Sequence, residues 1–211
     1  MIELDIFSDT VCPWCYIGKK RLEKAINNHK NQEFKQTWRP FQLNPGMPPD
    51  GMDRQEYLIS KFGSADAAKT IYENIYDEGL LEGINFNFDS IKTTPNSFNS
   101  HRLLALAYKQ GIQENVLNSL FESYFLNGED LGDPNILLEI AIKHQIDAEN
   151  FKTYLSDQEN IEPLANEEIQ ARKMGINSVP TFIVNKQIVI NGAQTSENFD
   201  IIFKKLTSNI N

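Results

Sequence analysis

Ile2-Glu3-Leu4-Asp5-Ile6-Phe7-Ser8-Asp9-Thr10-Val11-Cys12-Pro13-Trp14-Cys15 is the stretch on which the reading of this chain turns. Ile2, Leu4 and Ile6 alternate with Glu3 and Asp5, the period of a strand with one buried face. Ser8 to Val11 read as a short loop. Pro13 has no N–H and a fixed φ, so it suits the first position of a helix. Gly18, Leu22, Ala25, Ile26 and His29 then share one helical face. The thiols of Cys12 and Cys15 therefore stand where a strand hands over to a helix. A helix start carries unpaired N–H groups and a partial positive charge, which favour a thiolate over a thiol. Cys12 is expected to be the exposed nucleophile, and Cys15, one turn deeper, the thiol that resolves a mixed disulfide.

Two blander readings compete. The pair could be half of a zinc site, but the histidines are His29, His101 and His144, none at finger-like spacing from it. It could also be two inert core cysteines. The strand–CxxC–helix context favours redox chemistry over both, with no metal and no organic cofactor.

Outward from the motif, Phe34 to Phe41 reads as a second strand, which completes the opening of a βαβ unit. Pro45-Gly46-Met47-Pro48-Pro49-Asp50-Gly51-Met52 marks a turn or linker. Helical patterns follow. Asp53 with Glu56 resembles a capping box, and Ala67, Ala68, Ile71 and Ile75 line a second helix. Ile84 to Phe88 alternates and is expected to be extended. Further helices are expected near Ser97–Gln110 and Glu114–Leu126, then from the cap and first-turn proline of Asp133-Pro134. Asp147 and Asp157 are expected to cap two more, the last running to Met174 before Gly175. Thr181–Val184 and Gln187–Ile190, separated by Asn185-Lys186, read as a hairpin, and Ser196 caps a final helix.

The expected class is α/β: a thioredoxin-like fold interrupted by an all-helical insertion. Residues 1–43 and 160–211 would form the discontinuous thioredoxin-like domain, and residues 44–159 the helical insertion domain. In that fold a cis-proline faces the dithiol, and Ser178-Val179-Pro180-Thr181 stands just before the hairpin, where it would lie. Val179 would then offer its backbone groups to a substrate strand, and Pro180 would shield the sulfurs. An ordinary trans proline starting a strand is the alternative.

Composition agrees with a soluble globular protein. The chain has 211 residues, and Cys12 and Cys15 are its only cysteines, too close together to staple a fold. A net charge of −9 argues against a nucleic-acid or anionic-membrane partner, both of which ask for a basic face. There is no apolar run long enough to span a bilayer and no basic start leading into an apolar stretch, so the expected location is cytoplasmic.

Several blocks resemble the FrnE-like branch of the DsbA family of oxidoreductases. They are Phe7 to Lys19, Trp38 to Pro45, Asn96 with His101-Arg102-Leu103, Val179 to Phe182, and Gly192 to Gln194. Ser100 departs from the Ala expected before the histidine. The resemblance implies dithiol–disulfide oxidoreductase or isomerase activity on protein or small-molecule thiols and disulfides. Cys12 and Cys15 match the redox pair and Pro180 the cis-proline. Related 2-hydroxychromene-2-carboxylate isomerases and kappa-class glutathione transferases carry serine at the first cysteine and bind glutathione. A glutathione-dependent isomerase or transferase is therefore the alternative, and glutathione is a possible redox partner of the leading reading.

Secondary candidates surround the pair. Pro13 and Trp14 sit between the cysteines, where Trp14 would line a substrate groove or simply pack. His101 would face the cleft or serve a structural role. Asp5 would relay the Cys15 proton or sit outward, and Arg39 and Phe41 would floor the cleft or pack in the core. Lys19, Lys20 and Arg21 would raise the potential at Cys12 or form a solvated helix face.

Overall fold

The computed structural model describes residues 1–208; residues 209–211, the tail of the expected second segment, lie outside the described residues. Strand β1 (Ile2–Ser8) leads through helix α1 (Pro13–Asn28) to strand β2 (Phe34–Pro40). β1 and β2 run parallel, with Ile2 opposite Phe34 and Ser8 opposite Pro40. At the far end of the chain, β5 (Thr181–Val184) and β6 (Ile188–Asn191) form a hairpin. β5 pairs antiparallel with β1, Ile6 facing Phe182, so the sheet order is β2-β1-β5-β6. Asn185 and Lys186 turn the hairpin at φ +50 and +57, the left-handed pair of a type I′ turn. This delays β6 to Ile188, one residue later than the pattern suggested. α9 (Ser196–Ser208) closes this part; Ser196, expected as its cap, already lies in the helix, and Thr195 Oγ1 accepts the Asn198 N–H at 3.4 Å instead, while Phe199 and Phe203 are buried.

The helices between are α2 (Arg54–Phe62), α3 (Ala65–Leu81), α4 (Phe98–Lys109), α5 (Gln113–Glu122), α6 (Pro134–Lys143), α7 (Ala148–Ser156) and α8 (Ile161–Lys173). The sheet of four strands draws nothing from this block. Its one strand pairing among the described residues is β3 (Met52–Asp53) against β4 (Thr93–Thr94). The aspartate caps hold at three helix starts. Asp53 accepts the Gln55 and Glu56 N–H groups, Asp133 that of Asn135, and Asp147 that of Asn150.

Three further expectations need correction. Asp157 does not cap a helix: its Oδ1 takes the Glu159 N–H at 2.9 Å, which makes a turn, and α8 starts later at Ile161. The helix expected to run to Leu126 leaves α geometry at Ser123. It finishes as a π turn over Ser123–Asn127, closed by Gly128 at φ +74. Ile84 to Asn87 joins no sheet, and Phe88, expected to be extended, already opens a 3-10 turn over Phe88–Ser90. The Asn87 N–H is satisfied at 2.8 Å by the Phe125 carbonyl, while Ile84 and Phe86 are buried.

Aromatic packing joins the block to α1. Tyr16, the residue after Cys15, stacks on Phe121 with ring centroids 4.9 Å apart and meets Phe86 edge-on at 6.1 Å. Side chains of this size are worth about 1.5–3 kcal/mol each when fully buried. The motif helix is thus gripped by the sheet on one side and by the helical block on the other.

Candidate active site

Cys12 is the N-cap residue of α1, extended at φ −98 and ψ 112, and Pro13 is the first helical residue. The loop before it is held from within: the Cys12 N–H bonds the Asp9 carbonyl at 3.1 Å, and the Cys15 N–H bonds the Cys12 carbonyl at 3.0 Å. Both cysteines are unbridged thiols. Cys12 was expected to be exposed, and here the structure differs: it is 3% exposed, and Cys15 is 0%. The cause is the loop before β5. The Val179 carbonyl lies 3.8 Å from Cys12 Sγ and accepts from it.

The Val179–Pro180 peptide is cis. Its surroundings are fixed on both sides. The Thr181 hydroxyl donates to the Ser178 carbonyl at 2.8 Å, and the Gly192 N–H donates to the Pro180 carbonyl at 2.8 Å. On the α1 side, a Cβ on Gly18 would come within 3.0 Å of Pro180 Cγ. Gly18 therefore sets how closely the motif helix approaches the Val179–Pro180 loop.

The environment of Cys15 is electrically defined. Burial pushes its thiol well above the ordinary value, and the hydrogen bond and charge of Cys12 push it further. The Ser8 side chain and the Asp9 backbone act in the opposite direction. Ser8 and Asp9 were not singled out from the sequence as site residues. The one signal available was their position at the end of a strand and just before the CxxC.

Asp5 is not the acid beside Cys15. It pairs with Arg39 at 2.8 Å, and Arg39 also reaches Glu167 on α8 at 2.7 Å. Both residues belong to a partly exposed network on the sheet rather than to the cleft floor. Phe41 is buried, with the Arg172 guanidinium 4.2 Å from its ring centroid. Pro13 is buried, and Trp14 is half-buried against the core. His101 is 4% exposed on α4, with Nε2 3.5 Å from Asp9 Oδ1.

The basic run after the motif does not act on Cys12 as free charge. Lys19 is 0% exposed and pairs with Glu23 and, at 3.2 Å, with Glu114. Lys20 pairs with Glu23 at 3.3 Å. Arg21 bonds Glu78, Glu82 at 2.8 Å and the Ala193 carbonyl at 2.7 Å. These ion pairs fasten α1 to α3 and α5 and to the loop after β6.

A sheet of order β2-β1-β5-β6, a dithiol opening its first helix and a helical block between β2 and β5 define a thioredoxin-like fold with a helical insertion. Residues 3–203 match the DSBA-like thioredoxin domain, and the chain belongs to that family. The uncharacterized protein YwbO of Bacillus subtilis (strain 168) is 27% identical over 208 residues, 94% of each chain. The probable DsbA oxidoreductase SCO1869 from Streptomyces coelicolor superposes with a TM-score of 0.88 at 28% identity, covering 97% of this chain and 89% of its own. The cytosolic disulfide reductase DsbM from Pseudomonas aeruginosa, solved with GSH, shares the fold at a TM-score of 0.68 and 15% identity, covering 98% and 99%.

Proposed function

We propose that the chain is a thiol–disulfide oxidoreductase acting on protein or small-molecule disulfides through Cys12 and Cys15. The observation that carries this is the placement of Cys12: N-cap of α1, one turn from a fully buried second thiol, with the Val179 carbonyl against its sulfur. Membership of the DSBA-like family and the likeness to the Streptomyces protein support the same reading.

In the reducing direction, the Cys12 thiolate attacks one sulfur of the substrate disulfide. The S–S bond breaks, and the leaving sulfur departs with the bonding electron pair and takes up a proton. Cys15 then gives up its proton, and its sulfur attacks Cys12 Sγ in the mixed disulfide. The second substrate sulfur leaves and is protonated. The substrate gains two electrons and two protons; the protein loses both electrons and the Cys15 proton, and the other proton comes from solvent, which took up that of Cys12 when its thiolate formed. The oxidising direction is the reverse. A thiol pool such as glutathione would return the protein disulfide to the dithiol. Neighbouring N–H groups of the helix start would stabilise the Cys12 thiolate. Pro13 and Trp14 would shape the approach, Val179 would pair with the incoming substrate backbone, and Pro180 would guard the sulfurs.

Because both cysteines sit in the motif, no thiol is left for a structural bridge, which fits a reducing compartment such as the cytoplasm. No helix among the described residues is long and apolar enough to cross a membrane. The test is an insulin-type assay in which reduction of the interchain disulfides is followed. Cys12→Ser should abolish turnover, whereas Cys15→Ser should trap a mixed disulfide on Cys12. Undiminished turnover by Cys12→Ser would refute the dithiol mechanism.

A further inference from the structure

A buried carboxylate in the loop that carries the dithiol is met by an imidazole from the helical block. Asp9 is 0% exposed. Its Oδ2 accepts the Leu43 N–H at 2.6 Å and its Oδ1 the Val11 N–H at 3.4 Å, both neutral donors. Among the described residues, the basic side chain within ion-pair range of Asp9 is His101, with Nε2 3.5 Å from Oδ1. That Nε2 is buried and has no hydrogen-bond partner. The next cation on the helix, Arg102, is directed instead at the carbonyls of Tyr154, Leu155 and Asp157. One residue along in each segment, Thr10 Oγ1 and Ser100 Oγ lie 2.6 Å apart. Consecutive residues of the loop thus meet consecutive residues of α4. The Asp9 backbone in turn holds the Cys12 N–H.

We propose that His101 is a positioning residue for the thiol chemistry: paired with Asp9, it offsets the buried carboxylate of the loop that leads into Cys12, so that a thiolate forms there without facing an uncompensated like charge. This rests on the redox reading above. Like charges in a low-dielectric site oppose each other's ionisation, and water cannot screen a fully buried carboxylate. When the Cys12–Cys15 disulfide is reduced by two glutathione thiols, its S–S bond breaks and two electrons enter. Cys15 takes one of the two thiol protons, the other goes to solvent, Cys12 carries the thiolate, and the two glutathiones leave as their own disulfide. Without the imidazole, the Asp9 charge opposes that thiolate. The reduced form loses stability and the couple becomes more reducing.

The test is equilibration of the full chain with glutathione redox buffers, for wild type, His101→Ala, His101→Gln and the double variant Asp9→Asn/His101→Ala. Each single variant should move the equilibrium toward the protein disulfide by about tenfold, which is about 30 mV for a two-electron couple. The double variant should recover most of that shift, because the unbalanced carboxylate is gone. A lower melting temperature with an unmoved potential would show a merely structural role and overturn the proposal. A double variant as displaced as the single one would overturn it too. His101→Gln keeps the size and a donor group, so the comparison stands even if His101→Ala fails to fold. A wild type without a reversible couple would sink the redox reading itself. A reversible wild type with unmoved variants would sink this inference alone.

Discussion

Gly18 of α1 lies directly against Pro180: a Cβ added to Gly18 would stand 3.0 Å from Pro180 Cγ and 3.3 Å from Phe182 Cζ. The contact brings the motif helix to the loop that covers Cys12. Replacing a helix-interior glycine ordinarily gains up to about 1 kcal/mol of helix propensity. Here the ring of Pro180 stands in the way, and overpacking costs about 1–3 kcal/mol. Gly18→Val should therefore lower stability in a denaturant melt, and disulfide reduction at a temperature where the variant is folded should fall as well. A Gly18→Val protein as stable and active as wild type would show that this approach is not needed.

The environment of Cys15 predicts selective chemistry. Its thiol is held well above its ordinary value by burial and by Cys12, so at neutral pH it stays protonated in the folded protein. Iodoacetamide added to the native reduced protein near pH 7 should label Cys12 and leave Cys15, as peptide mass mapping would report.

The same shift fixes a sign for stability. Above about pH 8.5 an unfolded thiol ionises while the native Cys15 does not. The unfolded state then binds fewer protons, and the reduced protein loses stability as pH rises from there toward the native value. The melting temperature of wild type relative to Cys15→Ala should decline between pH 8 and pH 10. A constant difference would contradict the assignment.

Ser100 accepts a hydrogen bond from Thr10 if, as the geometry indicates, its own hydrogen goes to the Ser97 carbonyl at 2.7 Å. Ser100→Ala strands the Thr10 hydroxyl in a buried site and should cost about 1–3 kcal/mol. Thr10→Val in the same chain removes the orphaned group and should recover part of that loss. Additive losses in a double-mutant cycle would show that the two hydroxyls do not act together.

Glu82 ties α3 to α1. Burial alone would raise its carboxyl, but hydrogen bonds from Lys24 and Arg21 overcome this and hold it below its ordinary value. A depressed carboxylate contributes stability that is present above the unfolded pKa of about 4.3 and is lost as pH falls through the lower native value. The stability difference between wild type and Glu82→Gln should therefore shrink as pH is lowered from 6 to 3.

Much of this was legible in the chain because it is written locally. The alternation of β1, Pro13 at the helix start, the caps of Asp53, Asp133 and Asp147, and the hairpin turn each depend on residues a few positions apart. What was missed depends on partners far along the chain. Lys19 sits in a basic run that looks solvated, yet it is buried against Glu114, 95 residues later. Strand alternation leaves Asp5 either a relay for the Cys15 proton or an outward carboxylate. Its charge goes to Arg39, paired across β1 and β2, while Asp9 turns inward only because the loop closes over Leu43 and His101. The burial of Cys12 likewise comes from Val179, 167 residues away. No periodicity reports such closures.

The central claim is that Cys12 and Cys15 form one reversible redox couple. Equilibrating the protein in glutathione buffers of graded poise, then trapping thiols and weighing the intact chain, tests it directly. The account predicts that both thiols disappear together in a single two-electron transition, and that Cys12→Ser removes it. Two thiols that persist across the whole range, or that titrate independently as glutathione adducts, would contradict it.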